Sequence, residues 1–309
     1  MKWKQLQNGN VFCRNGKLIP SIFLIGVQKC GTTTLDAILE QFKEISHGIK
    51  KEHHFFDHDI SSFKEYIHQF PNCDNNRKNS KEKRKQRTNV LIRSLDSTPN
   101  YTNPSSKSAE RIKVFYDNMR IPIQKLVFVA IVCPNSQRLL SGYYHGLRLI
   151  RGENDIDEKW IKSRNFTLNN WIAKKLDNWK EKDPYATIKR GFYDKVFEKY
   201  LKLFPKSKFL IIDKSYAFEQ MQKLSDFLAT ELRFPSKIIK KNIHRNKGIK
   251  KTEYFSEDNL ARLKQLFGPH ERKFLNMLIN RENVKLFPTN EMEKWNEVRF
   301  LKDWNISKH

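Results

Sequence analysis

Ser21-Ile-Phe-Leu-Ile-Gly26-Val-Gln-Lys29-Cys-Gly31-Thr-Thr-Thr34 is the stretch that decides the fold. Residues 21–26 are an apolar run closed by glycine, the pattern of a buried strand. From Thr32 to Phe42, the apolar residues Leu35, Ile38, Leu39 and Phe42 recur at helical spacing. A strand that passes through a glycine turn into the start of a helix presents backbone N–H groups and the positive helix end to an anion. The spacing from Gly26 to Gly31 is that of the phosphate-binding P-loop. The departure from that motif is informative. A nucleoside-triphosphatase places lysine just after the second glycine, where this chain has Thr32; its lysine is Lys29, inside the loop. No strand-ending aspartate pair for magnesium follows. The loop therefore suits a shorter donor, with a 5′-phosphate and a group to be transferred.

Working outward, residues 90–95, 126–132 and 208–212 read as three further strands, the second fully buried because no polar residue interrupts it. Helical patterns lie between them at roughly 105–119, 136–149, 192–203 and 216–229, and the C-terminal third is helical, with Leu260, Leu263, Leu266, Phe267, Phe274, Leu275 and Leu278. Strands alternating with helices predict a three-layer α/β fold, P-loop-like, with a central parallel sheet flanked by helices. Residues 21–26 belong at its centre, with the loop at the C-terminal edge. The reading places one domain over 18–281, with terminal extensions at 1–17 and 282–309. Residues 74–88, with seven basic residues between Arg77 and Arg87 and no large apolar one, read as an inserted surface loop.

The chain of 309 residues carries a formal net charge of +25, which predicts an anionic partner or a lysine-rich solvated surface. Cys13, Cys30, Cys73 and Cys133 form no CxxC pair and no zinc spacing, so neither a metal site nor a disulfide framework is expected. No apolar run is long enough for a transmembrane helix, and the N-terminus lacks the apolar region of a signal peptide. As the sequence stands, the expectation is a cytoplasmic protein, unless a leader is missing. Sequons at Asn100, Asn165 and Asn305 are too common in an Asn-rich chain to decide anything.

Gly26-Val-Gln-Lys-Cys-Gly-Thr32 resembles the 5′-phosphosulfate loop, G-[VP]-[QR]-K-x-G-T, of the carbohydrate sulfotransferases, especially the heparan sulfate N- and 3-O-sulfotransferases. An ordered series of matches follows over about residues 18–280. Lys51-Glu-His-His-Phe-Phe-Asp57 resembles their E-x-H/Q-F-F segment, and Asp96-Ser-Thr-Pro-Asn-Tyr101 their E-K-[ST]-x-x-Y-F segment. Gln137-Arg-Leu-Leu-Ser-Gly-Tyr143 resembles the helix whose serine holds the donor's 3′-phosphate. Arg190-Gly-Phe-Tyr193, with Leu201 and Phe204-Pro205, resembles their G-x-Y…W-L…F-P stretch, and Lys247-Gly-Ile-Lys250 a second donor-binding loop.

The resemblance implies a 3′-phosphoadenosine 5′-phosphosulfate donor as co-substrate, no metal, and a sugar hydroxyl or amine acceptor in an anionic polysaccharide of heparan sulfate type. It also implies the Golgi lumen if a leader is missing. It implies that Lys29 stabilises the leaving phosphate, and that Cys30, Gly31, Thr32, Thr33 and Thr34 hold the 5′-phosphate. Glu52 would be the base, with His54 orienting it or touching the acceptor. Ser141 would take the 3′-phosphate, and Lys247, Gly248 and Lys250 would serve the donor. A plain salt bridge from Glu52 to Lys50 or Lys51 is the rival reading of that residue. The chain departs from the pattern at three points: Cys133 where the 3-O-sulfotransferases have arginine, Ser97 where the family has a second lysine, and a missing disulfide-closed hairpin, which fits a reducing compartment. These departures leave two alternatives open: a sulfotransferase for a small hydroxylated metabolite, and a non-catalytic basic protein that binds glycan or nucleic acid.

Overall fold

The computed structural model describes residues 4–5, 12–58, 62–73, 92–151, 165–181, 186–235, 253–279 and 281–288. In chain order these form strands β1 (Lys4–Gln5), β2 (Phe12–Arg14) and β3 (Lys17–Gly26), helix α1 (Thr32–Leu39), strand β4 (Ile45–Ser46), helix α2 (Phe63–His68), strand β5 (Arg93–Asp96) and helix α3 (Ser108–Asn118). There follow β6 (Val127–Val132), α4 (Asn135–Arg151), α5 (Leu168–Asn178), α6 (Tyr193–Leu203), β7 (Lys208–Asp213), α7 (Lys214–Glu219), α8 (Met221–Leu232), α9 (Glu257–Ile279) and β8 (Val284–Phe287).

Strands β4, β5, β3, β6, β7 and β8 lie side by side in that order, all parallel, and the short β1–β2 ribbon pairs antiparallel with the start of β3. The central position predicted for residues 21–26 is observed: β3 is flanked by β5, through Ile22↔Leu95, and by β6, through Phe23↔Phe128. After β3 the chain turns to one side of that strand to make β4 and β5, then crosses to the other to make β6. The carboxyl end of β3 is thus the point where the direction of winding reverses, and there the crevice of an open α/β sheet forms.

Alternate residues of each strand pack on opposite faces, the period-2 rule applied to a sheet covered on both sides. Ile22, Leu24, Val129, Ile131, Leu210 and Ile212 pack against α1 and α8 through Leu35, Ile38, Leu224 and Leu228. Phe23, Ile25, Phe128, Ala130, Phe209 and Ile211 pack against α3, α6 and the end of α9 through Ile112, Phe115, Phe197, Tyr200 and Phe274. A third apolar cluster joins α4, α5 and the first half of α9 through Tyr143, Leu147, Leu168, Ile172, Leu263 and Phe267.

Two details differ from the sequence reading. The helical pattern at 216–229 is two helices, α7 and α8, because Gln220 leaves helical geometry at φ −127°, ψ 55°. The sheet also takes in residues beyond the 18–281 span: β2 pairs with β3 before residue 18, and β8 pairs with β7 through Phe209↔Val284 and Ile211↔Leu286. The basic segment 74–88 lies outside the described residues.

Gly31 caps α1 at φ 98°, and a Cβ there would stand 2.6 Å from the Phe218 ring. Gly31→Ala should therefore destabilise the protein by about 1–2 kcal/mol from backbone strain, with the ring displaced in addition. Calorimetry checks this: a fall in melting temperature of about 2–4 °C per kcal/mol is expected, and an unchanged melting temperature would show that the loop absorbs the methyl group without strain.

Candidate active site

The site is built on the loop between β3 and α1. Val27 N–H donates to Ile131 O at 2.8 Å, which ties the loop's first residue to β6, and Cys30 N–H turns back to Val27 O at 3.1 Å. Thr34 and Leu35 N–H groups donate to Gly31 O at 3.0 and 3.1 Å, so Gly31, Thr32 and Thr33 lie ahead of the first helical bonds, with the N–H groups a helix start leaves open. Gly26, at φ 154°, allows the close crossing: a Cβ there would stand 2.3 Å from Thr102 Oγ1. Lys29 occupies the apex at φ 74°. Its amine is lowered from its usual range to about 8, first by burial, then by the Arg148 charge; Glu52 pulls the other way and Arg190 adds to the lowering. A half-buried lysine with two cationic neighbours is a functional-site signature with a physical cause.

The segment bearing Glu52 is held against the loop by the segment after β5. Asp96, at the end of β5, is fully buried and accepts from Thr98 Oγ1 at 2.6 Å, Tyr66 OH at 2.7 Å and Tyr101 OH at 2.8 Å. Burial pushes its carboxyl above the usual range, against the charge of His53 and these hydrogen bonds. Thr98 Oγ1 in turn accepts the N–H groups of His53, at 3.0 Å, and His54, at 3.4 Å. The Asp96–Tyr101 segment is therefore a scaffold for residues 52–57. Ser97, where the resemblance leads one to expect lysine, is buried within it, and its hydroxyl has no partner among the described residues.

From that scaffold a polar circuit closes around the mouth of the loop. Glu52 lies 3.3 Å from His54 Nε2, and His54 Nδ1 lies 2.8 Å from Asp57 Oδ2. Asn100 Nδ2 donates to the same Asp57 oxygen at 2.6 Å, and Arg190 donates to Asn100 Oδ1 at 2.7 Å and to Gln28 in the loop. On the other side, Lys51 Nζ reaches Glu52 Oε1 at 3.3 Å and Thr33 Oγ1 at 3.2 Å. The salt bridge to Lys51 exists, and so does the contact with His54; Glu52 is also close enough to Lys29 to favour its ammonium form. Lys29, Cys30, Gly31, Thr32, Thr33, Glu52 and His54 are thus brought together.

Ser141 lies on α4, partly exposed, on the same helix stripe as His145 and Arg148, four and seven residues on. On that stripe, burial first, then the charges of Lys29 and Arg148, lowers the His145 imidazole. Sequence reasoning missed Asp57, Asn100, Arg190, His145 and Arg148. Asp57 and Arg190 stood inside matched segments, and the spacing Ser141–His145–Arg148 was readable as one helix face. Lys247, Gly248 and Lys250 lie outside the described residues.

The cysteine expectation is overturned. Cys30 is bonded to Cys133, with their Cα atoms 5.4 Å apart, and Cys13 to Cys73, at 6.1 Å. Sequence separations of 103 and 60 hid the pairs. Register makes them: Val27 bonds Ile131, so Cys30 and Cys133 leave neighbouring strands at the same level. Likewise Cys73 N–H donates to Gly16 O at 2.7 Å beside the β2–β3 hairpin. Tyr193 OH donates to Cys133 O at 2.9 Å, against the buried Cys30–Cys133 bridge.

A parallel sheet whose switch point carries a glycine-closed loop, with Glu52, His54 and Asp57 linked beside it, is a P-loop-like architecture. The chain belongs to the sulfotransferase family, whose model matches residues 20–245. It matches no curated protein sequence. Among solved structures it is similar in fold to a sulfotransferase from Alicyclobacillus acidocaldarius, with a TM-score of 0.59 and 18% identity over 85% of this chain and 97% of that one. No helix among the described residues is long and apolar enough to cross a membrane.

Thiol titration of the unreduced, denatured protein checks the pairing. With no free cysteine, no reactive thiol is expected before reduction and four after it. Two thiols before reduction would leave only one bridge standing.

Proposed function

We propose that the protein transfers a sulfuryl group from 3′-phosphoadenosine 5′-phosphosulfate to a hydroxyl or amine of a sugar in an anionic polysaccharide. The observation that carries this reading is the circuit joining the loop to Glu52. It sets a depressed lysine and a positioned carboxylate on either side of one mouth, as in-line transfer requires. The donor, a substrate, supplies the activated sulfuryl group. The open N–H groups of Gly31, Thr32 and Thr33, with the threonine hydroxyls and Cys30 and Thr34 beside them, suit its 5′-phosphate. Ser141, on the same face of α4 as His145, is assigned to its 3′-phosphate by resemblance, as are Lys247, Gly248 and Lys250 to the donor. Lys29 neutralises charge on the departing phosphate oxygen. Glu52 takes the acceptor proton, and Asp57 fixes the His54 ring whose Nε2 meets Glu52. The excess positive charge of the chain favours an acidic acceptor. The two disulfides favour an oxidising compartment over the cytoplasm.

Glu52→Gln keeps shape but cannot accept a proton. Labelled-sulfate transfer at saturating donor should fall about 10²–10⁴-fold, while calorimetric affinity for adenosine 3′,5′-bisphosphate stays unchanged. Activity within a few-fold of the parent would reduce Glu52 to its Lys51 salt bridge, which contributes only about 0–1 kcal/mol to stability. An absence of bisphosphate binding in the parent protein would sink the donor assignment itself.

Lys29→Ala should lower turnover by about 10²–10³ while affecting donor affinity less. The parent's pH profile adds a sign. The lysine is charged below its pKa, so kcat/KM for the donor should fall as pH rises through about 8. The fall in kcat should come at higher pH, because a bound anion favours the ammonium. A kcat/KM flat across that window would show that the Lys29 charge is not used.

A further inference from the structure

His54-Phe55-Phe56-Asp57-His58 carries two groups that sulfuryl transfer leaves unused. The two phenylalanines anchor the segment: the Phe55 ring stacks on Tyr66 at 4.3 Å, and Phe56, fully buried, meets Phe115 at 5.4 Å. His54 and His58 on either side are exposed. Asp57 is the opposite case, a carboxylate whose side chain is fully buried. Its Oδ2 faces His54 Nδ1 at 2.8 Å and accepts from Asn100 Nδ2 at 2.6 Å. Its Oδ1 is buried and has no hydrogen-bond partner. Leaving a carboxylate oxygen buried and unpaired costs free energy, which a cation would offset. Among the described residues His58 makes no hydrogen bond or ion pair, and its ring stands 6.0 Å from that of His54. One ligand atom from each of His54, Asp57 and His58 lies within 4.8 Å of the other two. Asp36, Glu40 and His47 are grouped as closely, but the one histidine there meets carboxylate oxygens at both ring nitrogens, at 2.7 and 3.1 Å. The group at His54 keeps a histidine and a carboxylate oxygen to spare.

We propose that His54, Asp57 and His58 form an inhibitory site for a divalent cation of the zinc type. Two imidazoles and one carboxylate suit a borderline ion such as zinc, whereas calcium and magnesium take oxygen ligands. Ligands held tetrahedrally at about 2.0–2.2 Å from zinc stand about 3.3 Å from one another. His54 and Asp57 reach that spacing by parting about 0.5 Å, and the exposed His58 ring turns in to complete the set. Asn100 is then the neighbour that orients the ligating carboxylate. The exposure of both histidines gives the ion its entry path and leaves a fourth position to solvent. Cysteine spacing, which argues against a thiolate site, says nothing of histidine ligands. A bound ion takes His54 and Asp57 out of the circuit that joins Glu52 to the loop, and so blocks transfer. The blocking rests on the functional reading above; the site rests on the three side chains alone.

The first measurement is calorimetric titration of the untagged full-length protein, freed of metal by a chelator, with zinc chloride and without nucleotide. The parent should bind zinc, and His58→Ala should weaken that binding by about tenfold or more. Circular dichroism should show His58→Ala folded, since the exposed ring has no hydrogen bond to lose. Cobalt adds a spectroscopic check: its visible absorption in a nitrogen-rich site should appear with the parent and be lost in His58→Ala. No zinc binding by the parent, or equal zinc affinity in the parent and His58→Ala, overturns the site. Magnesium chloride binding as tightly as zinc would reduce the group to an acidic patch and overturns it as well. These outcomes hold whether or not the protein transfers sulfate. The second measurement is labelled-sulfate transfer with and without zinc. Zinc should inhibit the parent and spare His58→Ala, whose activity without zinc should match the parent's. Zinc that binds through His58 yet leaves transfer unchanged refutes the inhibition.

Discussion

The hydrogen-bonded register between β3 and β6 is the constraint on which the rest of the molecule depends. It fixes Val27 to Ile131, so the chain leaves β3 at the place where the winding of the sheet reverses. A glycine turn there aims the start of α1 into the crevice between diverging connections. The same register sets Cys30 beside Cys133 and starts α4 close by, so the loop, the bridge and the Ser141 stripe share one anchor. A slip of one residue would reverse every side chain of β3 and exchange its two apolar faces, which the packing on both sides forbids.

Around this anchor the molecule holds two buried polar devices with opposite purposes. Asp96 is enclosed by three hydroxyl donors and serves rigidity: it fixes Thr98, which fixes the backbone of His53 and His54. A carboxylate satisfied in this way holds a segment in place without needing a ligand. The cations at the mouth are the reverse case. Lys29 is half-buried among like charges and its amine is depressed for that reason. The first device holds the segment of Glu52, His54 and Asp57 in place, and the second keeps the Lys29 amine depressed at the loop.

The sheet and its faces were legible in the sequence because they depend on local patterns. The apolar runs at 21–26, 126–132 and 208–212 and the helical spacing after Thr32 were enough to place β3, β6, β7 and α1. Glycine turns are equally local, so Gly26 and Gly31 marked the loop, and the segment about Glu52 and His54 could be tied to it by its order along the chain. Element ends were less legible: one helical pattern proved to be α7 and α8 because the break at Gln220 leaves no glycine or proline as a signal.

What the sequence by itself determined is the class of fold, the glycine-bounded loop between β3 and α1 and the residue types around it, since strand period, helix period and turn chemistry are properties of neighbouring residues. What only the tertiary structure decided is which distant residues meet. Cys30 pairs with Cys133 across 103 positions, Arg190 joins Gln28 to Asn100, and Thr98 holds the backbone of His53 and His54. These meetings follow from strand order and register, which are settled by the packing of the whole sheet and are written in no single stretch of the chain.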